Sequence, residues 1–151
     1  METLINRLNI YIIPPLLSLI LGWTLAILTL IKGKIKSENI LFALVCIWMT
    51  LMSPIFISHH LLRGDFSTIM LIERSIHCIY VYLPLIYLLY LHKAFSFNNK
   101  KLIIITAAIC FFLSMSVWTP YYFSGFYVYS WGYSGKGGIA FKIFGAYGFA
   151  I

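Results

Sequence analysis

Acidic side chains are almost absent. The 151 residues hold four of them, Glu2, Glu38, Asp65 and Glu73, and charges of both signs make up 10% of the chain. No expected span carries a pair of carboxylates, so paired-acid chemistry has no place to sit. The sequence also lacks a phosphate-cradling glycine loop, an HExxH motif and a nucleophile elbow. Its three cysteines, Cys46, Cys78 and Cys110, form no CxxC, are odd in number and fall in three different spans, which makes free thiols the expected state. Lys142 apart, almost no charge is expected at membrane depth, which weakens the enzyme and ion-coupled transporter readings alike. The chain is therefore expected to be no enzyme, with no catalytic residue, no cofactor and no metal site of its own.

Apolar residues make up 62% of the sequence, and bilayer-length apolar runs recur along it. The expected fold is an all-α integral membrane protein, a bundle of four transmembrane helices plus a partial fifth. The spans are placed at about 11–31, 40–59, 76–91, 102–118 and 138–151. The last holds roughly 14 residues, or about 21 Å of helix against about 30 Å of hydrocarbon, so residues 1–151 are expected to be a truncated front part of a longer protein. The first span is too long for a cleaved signal, contains Pro14 and Pro15, and ends in Lys32, Lys34 and Lys36, so it reads as an uncleaved anchor.

Lysine and arginine set the orientation. Lys32, Lys34 and Lys36 follow span 1 and Lys93, Lys100 and Lys101 follow span 3, which places these loops in the cytoplasm and the N-terminus outside. On the alternate side stand Arg7, Arg63 and Arg74, offset by Asp65 and Glu73, and then Lys136. The net charge of +7 is thus a topology signal and an attraction to anionic lipid, with no support for nucleic-acid binding.

The aromatic run Trp118–Tyr133, WTPYYFSGFYVYSWGY, then lies outside as a loop or short β-hairpin before helix five. Rings at Tyr127, Tyr129, Trp131 and Tyr133 alternate with small residues, a period of two that suggests one short strand, and residues 134–138 (SGKGG) read as turn material. Two roles are open for this lid: an interfacial aromatic belt, or the wall of a ligand pocket. Ser37 is expected to cap span 2, with Glu38 beside the positive helix end. Pro54 and Pro84 should interrupt their spans, Pro84 removing the donor for the Tyr80 carbonyl. Tyr80, Pro84 and Tyr87 share one helix face, where the hydroxyls are expected to bond to neighbouring helices rather than line a path. His59 and His60 end span 2, His77 begins span 3, and Asp65, Glu73 and Arg74 lie in or beside the loop between, so these groups could meet at one surface. Their spacing fits no metal motif, adjacent histidines point about 100° apart on a helix, and the bland reading is a set of interfacial histidines and charge pairs.

Residues 72–76 (IERSI) leading into YVYLPLIYLLYLHKAF resemble the third helix of the N-terminal seven-transmembrane sensor region of bacterial histidine kinases, and Trp131–Gly132–Tyr133, Lys136–Gly137–Gly138, Phe141 and Phe144 are similar to that family's aromatic segment after helix four. The resemblance implies an outward N-terminus and seven helices coupled to a kinase, diguanylate-cyclase or related output. Helices six and seven and any output domain are absent from these residues, and His92 is no phosphoacceptor. The expectation is a signal-sensing module in the bacterial cytoplasmic (inner) membrane, multi-pass, without catalytic output of its own. Its partners would be the lipid bilayer, an unknown small ligand or membrane signal, and a separate output domain or a second copy. Its ligand-binding residues stay unassigned. The competing expectation is a fragment or subunit of a transporter or channel.

Overall fold

A computed structural model describes residues 10–33, 36–62, 65–97, 99–129 and 132–150. Arg7, Lys34, Arg63 and Trp131, which entered the reading of orientation and lid, lie outside the described residues. Three helical segments, Ile10–Lys32, Ser37–Leu61 and Phe66–Ala94, are long and apolar enough to cross a membrane. The first is a short 3-10 turn, Ile10–Ile12, followed by α1 (Ile13–Lys32). Pro14 and Pro15 fall in its first turn, where a missing backbone N–H costs nothing.

The second and third segments are both broken ahead of their prolines. α2 (Ser37–Thr50) passes through Leu51 into α3 (Met52–Leu61), just before Pro54, and α4 (Phe66–Tyr80) passes through Val81 and Tyr82 into α5 (Leu83–Ala94), just before Pro84. The interruptions follow from the chemistry expected of proline: each lacks the N–H that the carbonyl four residues back would accept. Ser37 does not cap α2. Lys36 stands at that position, and the Ser37 hydroxyl turns to Glu38 Oε2 at 3.5 Å.

The third segment starts ten residues earlier than the apolar run suggests. Asp65 accepts a hydrogen bond from Thr68 N at 3.0 Å and so caps α4 at Phe66, and hydrogen bonding to Thr68, through its side chain first and its backbone N–H second, holds the Asp65 carboxyl below the usual carboxylate value. Glu73 and Arg74 thereby become helix residues two turns in. The expected fourth span is α6 (Lys100–Ser116), capped by Asn99 through a 3.1 Å bond from Leu102 N. Its 17 residues make about 26 Å of helix. The expected fifth is α7 (Ile139–Ala150), 12 residues long.

Between α6 and α7 the aromatic run forms a two-stranded antiparallel hairpin, β1 (Phe123–Tyr129) with β2 (Gly132–Gly137). A single strand through 127–133 is not what forms. The chain reverses between Tyr129 and Gly132, which are paired, so the period of two crosses a turn and Tyr133 lands on the opposite face from Tyr127 and Tyr129. The residues expected as a turn, 134–137, are β2. Glycine marks close approaches here instead: a Cβ at Gly135 would strike the Glu73 carboxylate, and one at Gly138, just past β2, would strike the Tyr121 carbonyl. A bulge at Ser124 shifts the register, and Gly125 carries it with φ +149°, a conformation other residues rarely adopt.

α1 packs along α2 and α3, α2 along α5, α3 on α4, and α5 and α4 on α6, while β2 touches α3 and α7. Gly22 sets the first contact, because a Cβ there would collide with the Thr50 methyl. The buried core lies at the hairpin end, where Val81, Leu113 and Val117 meet Tyr122 and Phe123.

Candidate functional site

Beneath the hairpin, α3 and α4 bring together three of the ionisable side chains singled out in the sequence. Glu73 and His77 lie one turn apart on the face of α4 that also buries Ile69, and His59 faces them from the last turn of α3. His59 is 3% exposed, Glu73 4% and His77 1%, so these groups lie inside the protein rather than open at its surface. His59 Nε2 stands 3.6 Å from Glu73 Oε2. That separation suits a charge interaction but is too long for a good hydrogen bond, and both ring nitrogens of His59 and Oε2 of Glu73 are buried with no hydrogen-bond partner. His77 Nδ1 lies 2.9 Å from the Glu73 carbonyl, so this nitrogen carries its hydrogen and donates.

The two adjacent histidines separate as helix geometry requires. His60 turns the other way and stacks on Tyr11 with ring centroids 6.3 Å apart. Asp65 stays at the α4 N-cap, and Arg74 reaches the Trp118 carbonyl at 3.2 Å, tying α4 to the segment after α6. Neither joins the cluster. Among the described residues no group of three or more His, Cys, Asp or Glu side chains is placed to hold a metal ion.

The hairpin covers this cluster with one face. Phe126 meets His59 edge-on at 5.8 Å, Tyr133 packs on Phe66 at 4.9 Å, and Gly135 lies against the Glu73 carboxylate. The other face, with Tyr127, Tyr129 and Lys136, is exposed, and Lys136 Nζ sits 5.8 Å over the Tyr127 ring. His77 is enclosed by rings on the remaining sides: Phe123 at 4.7 Å, Tyr122 and Phe141 at 5.8 Å and Tyr80 at 6.1 Å. Tyr122 is fully buried, and its hydroxyl has no partner. Burial first, then the neighbouring Tyr80 and Glu73, push that phenol above the ordinary tyrosine range.

The cluster therefore places a carboxyl group, two imidazoles and a phenol in a dry volume under the hairpin. Hydrogen bonding does not satisfy it, so any change of charge there must be met by a change of structure. Sequence reasoning missed Glu73 as a buried group and missed Tyr122 as its neighbour. The signal was present in Asp65 followed by Thr68, which starts the helix early and makes 69, 73 and 77 a single stripe.

A second feature lies further along the helices. Tyr80, Pro84 and Tyr87 line a cavity between α2, the α4–α5 break and α7, so this face borders open space and does not serve only to join helices. The cysteines are free, as expected, with Cys78 Sγ 3.0 Å from the Ser114 hydroxyl. Compared with protein-family models, curated proteins and solved structures, the chain matches none.

Proposed function

We propose that the chain is a membrane-embedded signal-sensing module of a bacterial signal-transduction protein, with four spans, its N-terminus and hairpin outside, and its output elsewhere. The observation that carries this reading is the hairpin seated on the buried His59–Glu73 pair. It couples a cover at one end of the bundle to α3 and α4, the halves of two spans that both break near their middle. A ligand or membrane state that displaces the hairpin favours a different arrangement of those halves, and differential affinity for two arrangements is what biasing an output requires.

The membrane assignment is supported by what the bundle exposes. Leu17, Leu21, Ile104 and Phe112 are 53–71% exposed on a chain with three bilayer-length segments, a surface suited to lipid. α6 is read as the fourth span. The sequence resemblance to seven-helix sensor regions supports the output, and the lysine loops support the orientation.

Orientation is tested by labelling. In a cysteine-free background, Val128→Cys at the hairpin should react with a membrane-impermeant thiol reagent added to intact cells, and Ser37→Cys should react only after lysis. The reverse pattern removes the topology. Sensing is tested by joining residues 1–151 to the remaining helices and kinase of a seven-helix sensor and measuring phosphotransfer. Glu73→Gln and Gly135→Ala should each shift the basal output at matched protein level. Output equal to the parent's in both variants would show that the hairpin transmits nothing.

A further inference from the structure

We propose that the cavity between α2, the α4–α5 break and α7 binds an uncharged, lipid-soluble small molecule that carries an oxygen acceptor. The cavity measures about 370 Å3 and is bordered by Val45, Met49, Tyr80, Pro84, Tyr87 and Phe144. This volume falls at the small end of the roughly 300–1,000 Å3 found for small-molecule sites, which are mostly apolar with a few placed polar groups. Here the polar side-chain groups are two phenols. Each can donate a hydrogen bond, and no acidic or basic side chain borders the space to balance a charged ligand.

The depth of the site identifies the route. Pro84 lies ten residues from Ala94, the end of its helical segment, or about 15 Å along a hydrocarbon layer of about 30 Å. A ligand at mid-membrane arrives through lipid, which again selects a neutral molecule. Two glycines keep the space open. Gly145 and Gly148 border the cavity from α7, and a Cβ added at either meets nothing within 4 Å. Glycine is disfavoured inside a helix, and neither position needs it for a close contact. What these residues supply is room.

The site also bridges both sides of a helix break. Tyr80 ends α4 and Tyr87 belongs to α5, so an oxygen acceptor held by both phenols fixes the angle between the two halves of span 3. Such coupling of the two halves rests on the sensing role, whereas binding alone does not.

The test uses the purified full chain in lipid nanodiscs and benzophenone, a neutral ring ketone that inserts into C–H bonds under light. Saturable labelling of Met49, Val45 or Leu83 is expected. Gly145→Leu and Gly148→Leu, which fill the cavity, should abolish it while melting no lower than the parent, and Tyr80→Phe should weaken it about three- to tenfold, the worth of one hydrogen bond. Because the three variants alter the site differently, loss of fold in one leaves the others to decide. Non-saturable labelling spread over lipid-facing Leu17 and Leu21 would mean that acyl chains fill the space, and the proposal falls. Saturable labelling that survives Gly145→Leu and Gly148→Leu overturns it as well. Saturable labelling at the cavity with no change of kinase output in the joined protein keeps the site and removes the sensing role.

Discussion

Replacing Tyr122 by phenylalanine is expected to leave the protein as stable as the parent or to raise its stability by about 1 kcal/mol, whereas replacing it by alanine should cost about 3–5 kcal/mol. The ring is fully buried against Phe123 at 4.9 Å, Phe141 at 5.5 Å and His77 at 5.8 Å, so its removal leaves a void where the hairpin meets α4 and α7. The hydroxyl does the opposite. It is buried without a partner, and taking such a group from water costs more than it returns. The two substitutions therefore separate the apolar contribution of one side chain from its polar one.

The same residue fixes an alkaline dependence. Burial, together with Tyr80 and Glu73, raises the folded-state pKa of Tyr122 above its ordinary value of 10.0. Above about pH 10 the unfolded chain releases this proton while the folded chain keeps it, so the contribution of Tyr122 is fully present below that pH and is lost as pH rises. Melting in detergent between pH 8 and pH 11 should show the parent losing stability faster than Tyr122→Phe at the alkaline end. Parallel curves would mean that the phenol is wet and the hairpin does not seal the site.

Much of this architecture was legible in the residues because long apolar helices leave a strong signal. The two internal prolines announced both breaks, and the divergence of His59 and His60 followed from helix geometry. The hairpin was legible only as an alternative to a loop. Alternating rings from Tyr127 to Tyr133 mimic one strand, and nothing in residues 129–132 resembles the asparagine–glycine or aspartate–glycine turns that mark tight hairpins. The glycines in and just after β2 read as turn residues because their reason for being there is tertiary: Gly135 meets Glu73 and Gly138 meets the Tyr121 backbone, contacts made across more than 60 and 15 residues of chain respectively. The start of α4 was hidden by hydropathy. Glu73 and Arg74 look like loop residues until the cap at Asp65 is recognised, and with that start misplaced a buried acid becomes a surface one.

Glu73 is where the misplacement matters most, and its removal should give the other large effect. Glu73→Ala is expected to cost about 3–5 kcal/mol, and His59→Phe a similar amount, because each leaves a buried partner without its counterpart. The pair itself is poorly built for stability: its closest approach is 3.6 Å, and neither Oε2 of Glu73 nor either ring nitrogen of His59 has a hydrogen bond. Replacing both members by apolar residues of similar size is often neutral or stabilising by about 1–4 kcal/mol. The double variant Glu73→Leu, His59→Phe should therefore regain most of what the single changes lose, a coupling measurable as a double-mutant cycle by chemical denaturation in micelles. If it does so and the joined kinase no longer changes its output, the pair serves switching rather than folding. The hairpin would then still close over α3 and α4, but with no polar pair beneath Gly135. Single variants that each lose less than about 1 kcal/mol would place the two side chains in ordinary polar surroundings, and the buried pair would no longer account for how the cover is coupled to the spans.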